Sequence, residues 1–133
     1  MATRASIKIS DKDGNFIANI YHHYDGYPEY LGQKLLDIVD EAPIVNGLSG
    51  PLTQFNGFPD LASSIVFKLK ENLGNGRVYL HTEDDYGQCG EDFLYEVIEG
   101  DNGVPLVLVE TEYGTESVSD ILNENKELYD GQE

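Results

Sequence analysis

The residue pattern points to a two-layer α+β fold. It is an antiparallel sheet of about five strands in the order β-β-α-α-β-β-β-α, with the helices packed on one face. Three observations carry this expectation. Short segments alternate apolar and polar residues at the period of a half-buried strand, and several are joined by Asx-Gly turns. Two segments between residues 31 and 73 space their apolar residues as a helix does. Hairpin signals imply antiparallel pairing, and a long crossover through two helices places those helices together over the sheet. The chain has 133 residues, of which 40% are apolar and 25% charged. One domain over residues 1–133 accommodates that length, and its core needs no disulfide or metal staple.

The elements follow in order. Ala5 to Ser10 alternates as a strand, and Asp13-Gly14 supplies the hairpin turn. Phe16 to Tyr24 is the returning strand, and its two apolar-rich faces point to a central strand, or to one covered on one side by helices and partly by a loop. Leu31, Leu35, Ile38, Val39 and Ala42 form one helical stripe, which Pro43 ends. Ile44 to Phe55, with Gly47, Gly50 and Pro51, reads as an irregular connection. A second helix starts near Pro59, carries Leu61, Ala62, Ile65, Leu69 and Leu73, and stops at Gly74. Strands are expected at Arg77 to His81, Phe93 to Ile98 and Leu106 to Tyr113, the last two joined at Asn102-Gly103. From Glu116 the chain reads helical through Val118, Ile121, Leu122 and Leu128, with a capping-box outline in Ser117-Val-Ser-Asp120 and a frayed tail over Tyr129 to Glu133.

Asp25-Gly-Tyr-Pro-Glu29 and Asn56-Gly-Phe-Pro-Asp60 repeat one pattern, each just before a helix. Asx-Gly turns tightly, the aromatic anchors the corner, proline suits the first helical position and the acid suits the helix dipole. Two matching helix starts account for both copies.

The charge is lopsided. The net charge is −17, from 25 acids and 8 bases, but residues 1–77 hold 9 acids against 7 bases while residues 78–133 hold 16 against one. Such a surface repels nucleic acid and anionic membranes. It either solvates the protein or meets a cationic surface, and charge runs more often solvate. The residues expected to form an acidic binding face are Glu83, Asp84, Asp85, Glu91, Asp92, Glu96, Glu110 and Glu112. The single cysteine, Cys89, is simplest to place in a reducing compartment. The sequence shows neither a secretory leader at its start nor an apolar run of bilayer length, so a soluble, cytosolic protein is expected.

The start Thr3-Arg4-Ala5-Ser6, the strand ending Ile20-Tyr21-His22-His23-Tyr24 and the following Asp25-Gly26-Tyr27-Pro28 resemble a family of small proteins encoded widely by bacteriophages. An Asn-Gly before the second helix, Tyr79-Leu80 in a strand and Cys89-Gly90 before an aromatic strand also fit. The resemblance covers roughly residues 1–98 and leaves out most of the acidic part. It implies an accessory gene product acting in the cytoplasm of an infected bacterium, and it transfers no catalytic residue.

Chemistry is sparse. His22, Tyr24, Asp25, Tyr27 and Glu29 are candidates for a pocket that would take a flat ligand such as a nucleotide. No glycine-rich phosphate loop supports that, and Arg4 and Arg77, the only arginines, are expected to pair with the acidic half. His22 and His23 point to opposite faces of a strand, so a metal site through His22, Asp25 and His81 is thinly supplied. Asp11-Lys-Asp-Gly-Asn15 is better read as a turn than a calcium loop, whereas Glu83-Asp84-Asp85 with Glu91-Asp92 leaves weak cation binding open. A Cys89–His81 nucleophile is conceivable, but no neighbour is evident that would lower the thiol pKa. No cofactor is implied. The leading expectation is a non-enzymatic protein that binds a basic surface on a host or defence protein, in the manner of nucleic-acid charge. A small-molecule module and a structural or assembly role through self-association are the alternatives.

Overall fold

In a computed structural model, the structure describes residues 2–41, 43–45, 54–71 and 73–130, with side chains except at 102 and 125–130. Among the described residues, mixed α and β elements form a six-stranded sheet and three α-helices. The strands are β1 (Ala5–Ser10), β2 (Phe16–His22), β5 (Val78–His81), β6 (Phe93–Glu99), β7 (Pro105–Thr111) and β8 (Gly114–Ser117), in the spatial order β5-β2-β1-β6-β7-β8. A separate parallel pair joins β3 (Ile44–Val45) to β4 (Phe55–Asn56). The helices are α1 (Gln33–Val39), α2 (Gly57–Lys70) and α3 (Val118–Asp130).

Three expectations need correction. The sheet has six strands rather than five, because Gly114–Ser117 pairs antiparallel with β7 before α3 begins. Val118 rather than Glu116 opens that helix. The sheet is also not wholly antiparallel, since β1 and β6 run parallel, Ile7 opposite Tyr95. The cause is the path of the chain. Residues 82–92 carry it from the β5 edge past β2 and β1 to the far side of β1, and a crossover of that kind joins strands no hairpin could.

Apolar alternation decides which face is buried. Ile7, Ile9, Ile20, Tyr95, Val97, Val107 and Val109 share one face by register and belong to one core cluster with Leu35 and Ile38 of α1, Leu61, Ile65 and Leu69 of α2, and Val118 of α3. The other face, which holds Ser6, Lys8, Asn19, Tyr21, Glu96 and Glu110, is crossed by residues 82–92, so it is not the bare second side of a two-layer domain. Strand β2 lies between β5 and β1, as its two apolar faces require.

The matching Asx-Gly motifs fold differently. In the first, the left-handed residue is Asp25, with φ +54°, and in the second it is Gly57, with φ +77°. Phe58 is buried as an anchor, but Tyr27 is 38% exposed. The first corner is held instead by Tyr95, whose hydroxyl donates to the Gly26 carbonyl at 2.6 Å. Gly26 is required there by packing: a Cβ would stand 2.7 Å from Ala5 Cβ and 3.0 Å from the Thr3 carbonyl oxygen. Chain entry to α1 passes through a π-helical turn, Pro28–Gly32, with proline at its first position. Ala42, Gly47, Gly50, Pro51, the Leu128 side chain and residues 131–133 lie outside the described residues.

Candidate functional site

Residues 82–92 are the organising element of the second sheet face. The Asn19 side chain donates to the Thr82 carbonyl at 2.9 Å, and the Tyr86 hydroxyl donates to the Tyr95 carbonyl at 2.8 Å. Lys8 lies 4.0 Å from Glu83 and 5.7 Å from the centre of the Tyr86 ring. The turn is closed by Glu91, whose carboxylate accepts from the Ser6 hydroxyl at 2.8 Å and from the backbone N–H groups of Gly87 and Cys89 at 2.7 and 2.6 Å. Partial burial opposes ionisation of Glu91, but those three donors outweigh it and hold its pKa below the ordinary value. Burial, reinforced by Glu96, Glu110 and Glu91, pushes the Tyr86 hydroxyl pKa upward.

This crossing loop sets where the expected acidic residues lie. Glu83, Asp84 and Asp85 form an exposed single turn on it. Glu96 and Glu110 point from β6 and β7 onto the same sheet face, by register with Lys8 and Leu94. Glu91, Asp92, Glu110 and Glu112 line a groove of about 650 Å³ together with Glu116 and Glu124. Phe93, Leu94, Tyr113 and Ile121 supply its apolar surface, and no basic residue is among its lining. The eight residues are thus not equivalent. Glu91 is consumed in holding the loop, and Asp92 accepts from the Arg4 backbone N–H at 2.9 Å. Glu116 accepts from the Thr111 hydroxyl at 3.0 Å. Glu116, Glu124 and Tyr113 were missed by sequence reasoning: Tyr113 and Glu116 come to the groove on the unrecognised β7–β8 hairpin, and Glu124 on α3 behind it. Tyr113-Gly114 between polar β-prone residues was the available signal.

At the far edge of the sheet, His22, Tyr24 and Asp25 line a recess of about 300 Å³ with Tyr30, Leu73 and Arg77. Of the five residues expected there, Tyr27 and Glu29 are not in its lining. Tyr27 packs beside Tyr30, ring centres 6.1 Å apart. His22 is 1% exposed, and neither ring nitrogen has a hydrogen-bond partner within the protein. Burial lowers its pKa against a weaker opposite pull from the Tyr24 backbone, so the imidazole is held neutral. Arg77 stacks on Tyr24, its guanidinium carbon 4.7 Å from the ring centre. The expected pairing of the arginines with the acidic half is absent among the described residues: Arg4 reaches the Cys89 carbonyl instead.

No family model, curated protein or solved structure matches the chain. The site must be read from its own chemistry.

Cys89 and His81 do meet, with Sγ 3.6 Å from Nδ1. His81 stacks flat on Tyr21 at 5.1 Å, and the Tyr21 hydroxyl hydrogen-bonds His23 Nδ1 at 2.8 Å. The thiol is nevertheless held protonated: burial raises its pKa, and Glu91 and Asp85 raise it further. A nucleophile would need the opposite field. The thinly supplied metal set of His22, Asp25 and His81 is divided, because the strand register puts His81 on the Tyr21 face and His22 on the core face. Among the described residues no group of three or more His, Cys, Asp or Glu could hold a metal ion. None of the described helices is long and apolar enough to cross a membrane.

Proposed function

We propose that the protein is a non-enzymatic binding factor that engages a basic surface of another protein through the acidic groove between β6, β7 and α3. The observation that carries this reading is six carboxylates lining one groove, with aromatic and aliphatic side chains among them and no base. Arginine-rich and lysine-rich surfaces carry both the charge and the aliphatic stems to fill such a groove. The resemblance to phage-encoded proteins supplies the setting: a host or defence protein in the bacterial cytoplasm, whose basic nucleic-acid cleft would accept the acidic face in place of nucleic acid.

Capture of partners from bacterial lysate, followed by binding measurements at about 50 mM and about 500 mM salt, tests the reading, since the Debye length shrinks severalfold over that range. Affinity should fall steeply with salt and be lost in the triple variant Glu110→Lys, Glu112→Lys, Glu124→Lys. A partner bound equally well at both salts, or by the charge-reversed protein, rules the groove out.

A further inference from the structure

The recess at the β2–β5 edge has a chemistry of its own, unlike that of the acidic groove. Its inner wall is an imidazole removed from water whose nitrogens make no hydrogen bond of good geometry within the protein. Buried polar atoms in native proteins are almost always satisfied, so a recess whose lining includes an imidazole with two orphaned nitrogens calls for a further partner. The neutral ring offers one donor and one acceptor side by side. At the mouth, Arg77 is stacked on Tyr24, and among the described residues no ion pair engages its N–H edge. A guanidinium fixed in this way presents a fork matched to a phosphate or carboxylate. Tyr30 adds a ring to the wall, and Asp25 adds an acceptor.

We propose that this recess is a binding site for a nucleoside monophosphate. The phosphate would sit on the Arg77 fork, the base would lie along the tyrosine wall with its polar edge toward His22, and Asp25 would accept from a ribose hydroxyl or an exocyclic amine. A single guanidinium suits one phosphate and falls short for three. A bare phosphate ion would leave His22 and the tyrosine wall without a partner. The volume, about 300 Å³, is at the lower end of small-ligand pockets and larger than a lone oxyanion requires. With no glycine-rich phosphate loop in the sequence, the phosphate would rest on Arg77 and the ring on the tyrosine wall, each contributing to binding.

Calorimetric titration of the full chain with AMP, GMP, CMP and UMP, alongside adenosine and inorganic phosphate, tests the proposal. Histidine ring resonances followed by NMR report on His22. At least one nucleotide should bind saturably and move the His22 signals. Arg77→Gln should weaken that binding about tenfold, while adenosine and phosphate bind far more weakly than the nucleotide. Tyr30→Ala serves in its place if Arg77→Gln proves unstable. The proposal is overturned if none of the four binds below about 1 mM. Binding that leaves His22 unmoved, or that both variants retain, or that phosphate alone matches, overturns it equally.

Discussion

Replacing Glu91 by glutamine tests the role of the crossing loop. The carboxylate accepts three hydrogen bonds, from Ser6, Gly87 and Cys89, on two oxygens. Glutamine keeps one oxygen and turns the other into an NH₂ group. If the retained oxygen serves Cys89, the new amide opposes the Gly87 N–H, donor against donor. Ser6 can rotate its hydroxyl to accept instead, so one backbone bond is lost outright and another loses its charge. Charge-assisted bonds are worth about 1.5–3 kcal/mol each, and solvent beside this half-buried group reduces that, so a net loss of about 2 kcal/mol is expected. For a chain of this size the melting temperature should drop by about 5–8 °C. The sign with pH is fixed by the lowered pKa of Glu91. Its contribution is present above the ordinary value of 4.5 and disappears as pH falls through the lower folded value. Urea unfolding of both proteins at pH 7 and at successively lower pH measures this. The gap between them should close under acid. Equal stability at pH 7, or a gap that persists in acid, refutes the idea that an ionised Glu91 closes the loop.

Gly26→Ala should destabilise by about 1–3 kcal/mol, because the new methyl meets Ala5 and Thr3 atoms fixed in the start of β1; an unchanged denaturation midpoint would show that the corner can shift. Alkylation of Cys89 by iodoacetamide should be slow at pH 7 and accelerate only well above pH 9, since burial and nearby carboxylates raise its pKa from the ordinary 9.0. Fast labelling at neutral pH would contradict that field. Added sodium chloride should raise the melting temperature by relieving repulsion within a chain of net charge −17. A fall would mean that the acids are already neutralised by pairing or bound ions.

The helices and most strands could be read from period alone, because their apolar faces are continuous. Ile7 and Ile9 on β1, and Leu61, Ile65 and Leu69 on α2, have no alternative burial. The parallel β1–β6 pair could not be read, since pairing between distant strands depends on the path of residues 82–92, whose turns are held by Glu91 rather than by local propensity. β8 was obscured because Thr115-Glu-Ser117 is short and polar, with no alternation to mark it. In the candidate sites the local cluster His22-Tyr24-Asp25 was visible, whereas Arg77 joins it only because β5 pairs with β2, His22 opposite Val78. Tyr27 looked like an anchor by its motif, yet Tyr95 holds that corner from 69 residues away.

Strand order turns a bias along the sequence into a bias in space. β6, β7 and β8 are contiguous in one half of the sheet, so the carboxylates late in the chain gather there apart from Glu83, Asp84 and Asp85 on the crossing loop, while β2 and β5 form the other half. From β2 to β7 there are three interstrand steps, or about 14 Å at the usual spacing. That exceeds the Debye length of about 8 Å at physiological salt. An anionic ligand at Arg77 is therefore shielded from the acidic groove, even though the protein as a whole repels anions. The two proposed sites should separate under ionic strength. Capture of a basic partner weakens steeply with salt because many charges contribute, whereas nucleotide binding, held by one guanidinium and two aromatic walls, changes little.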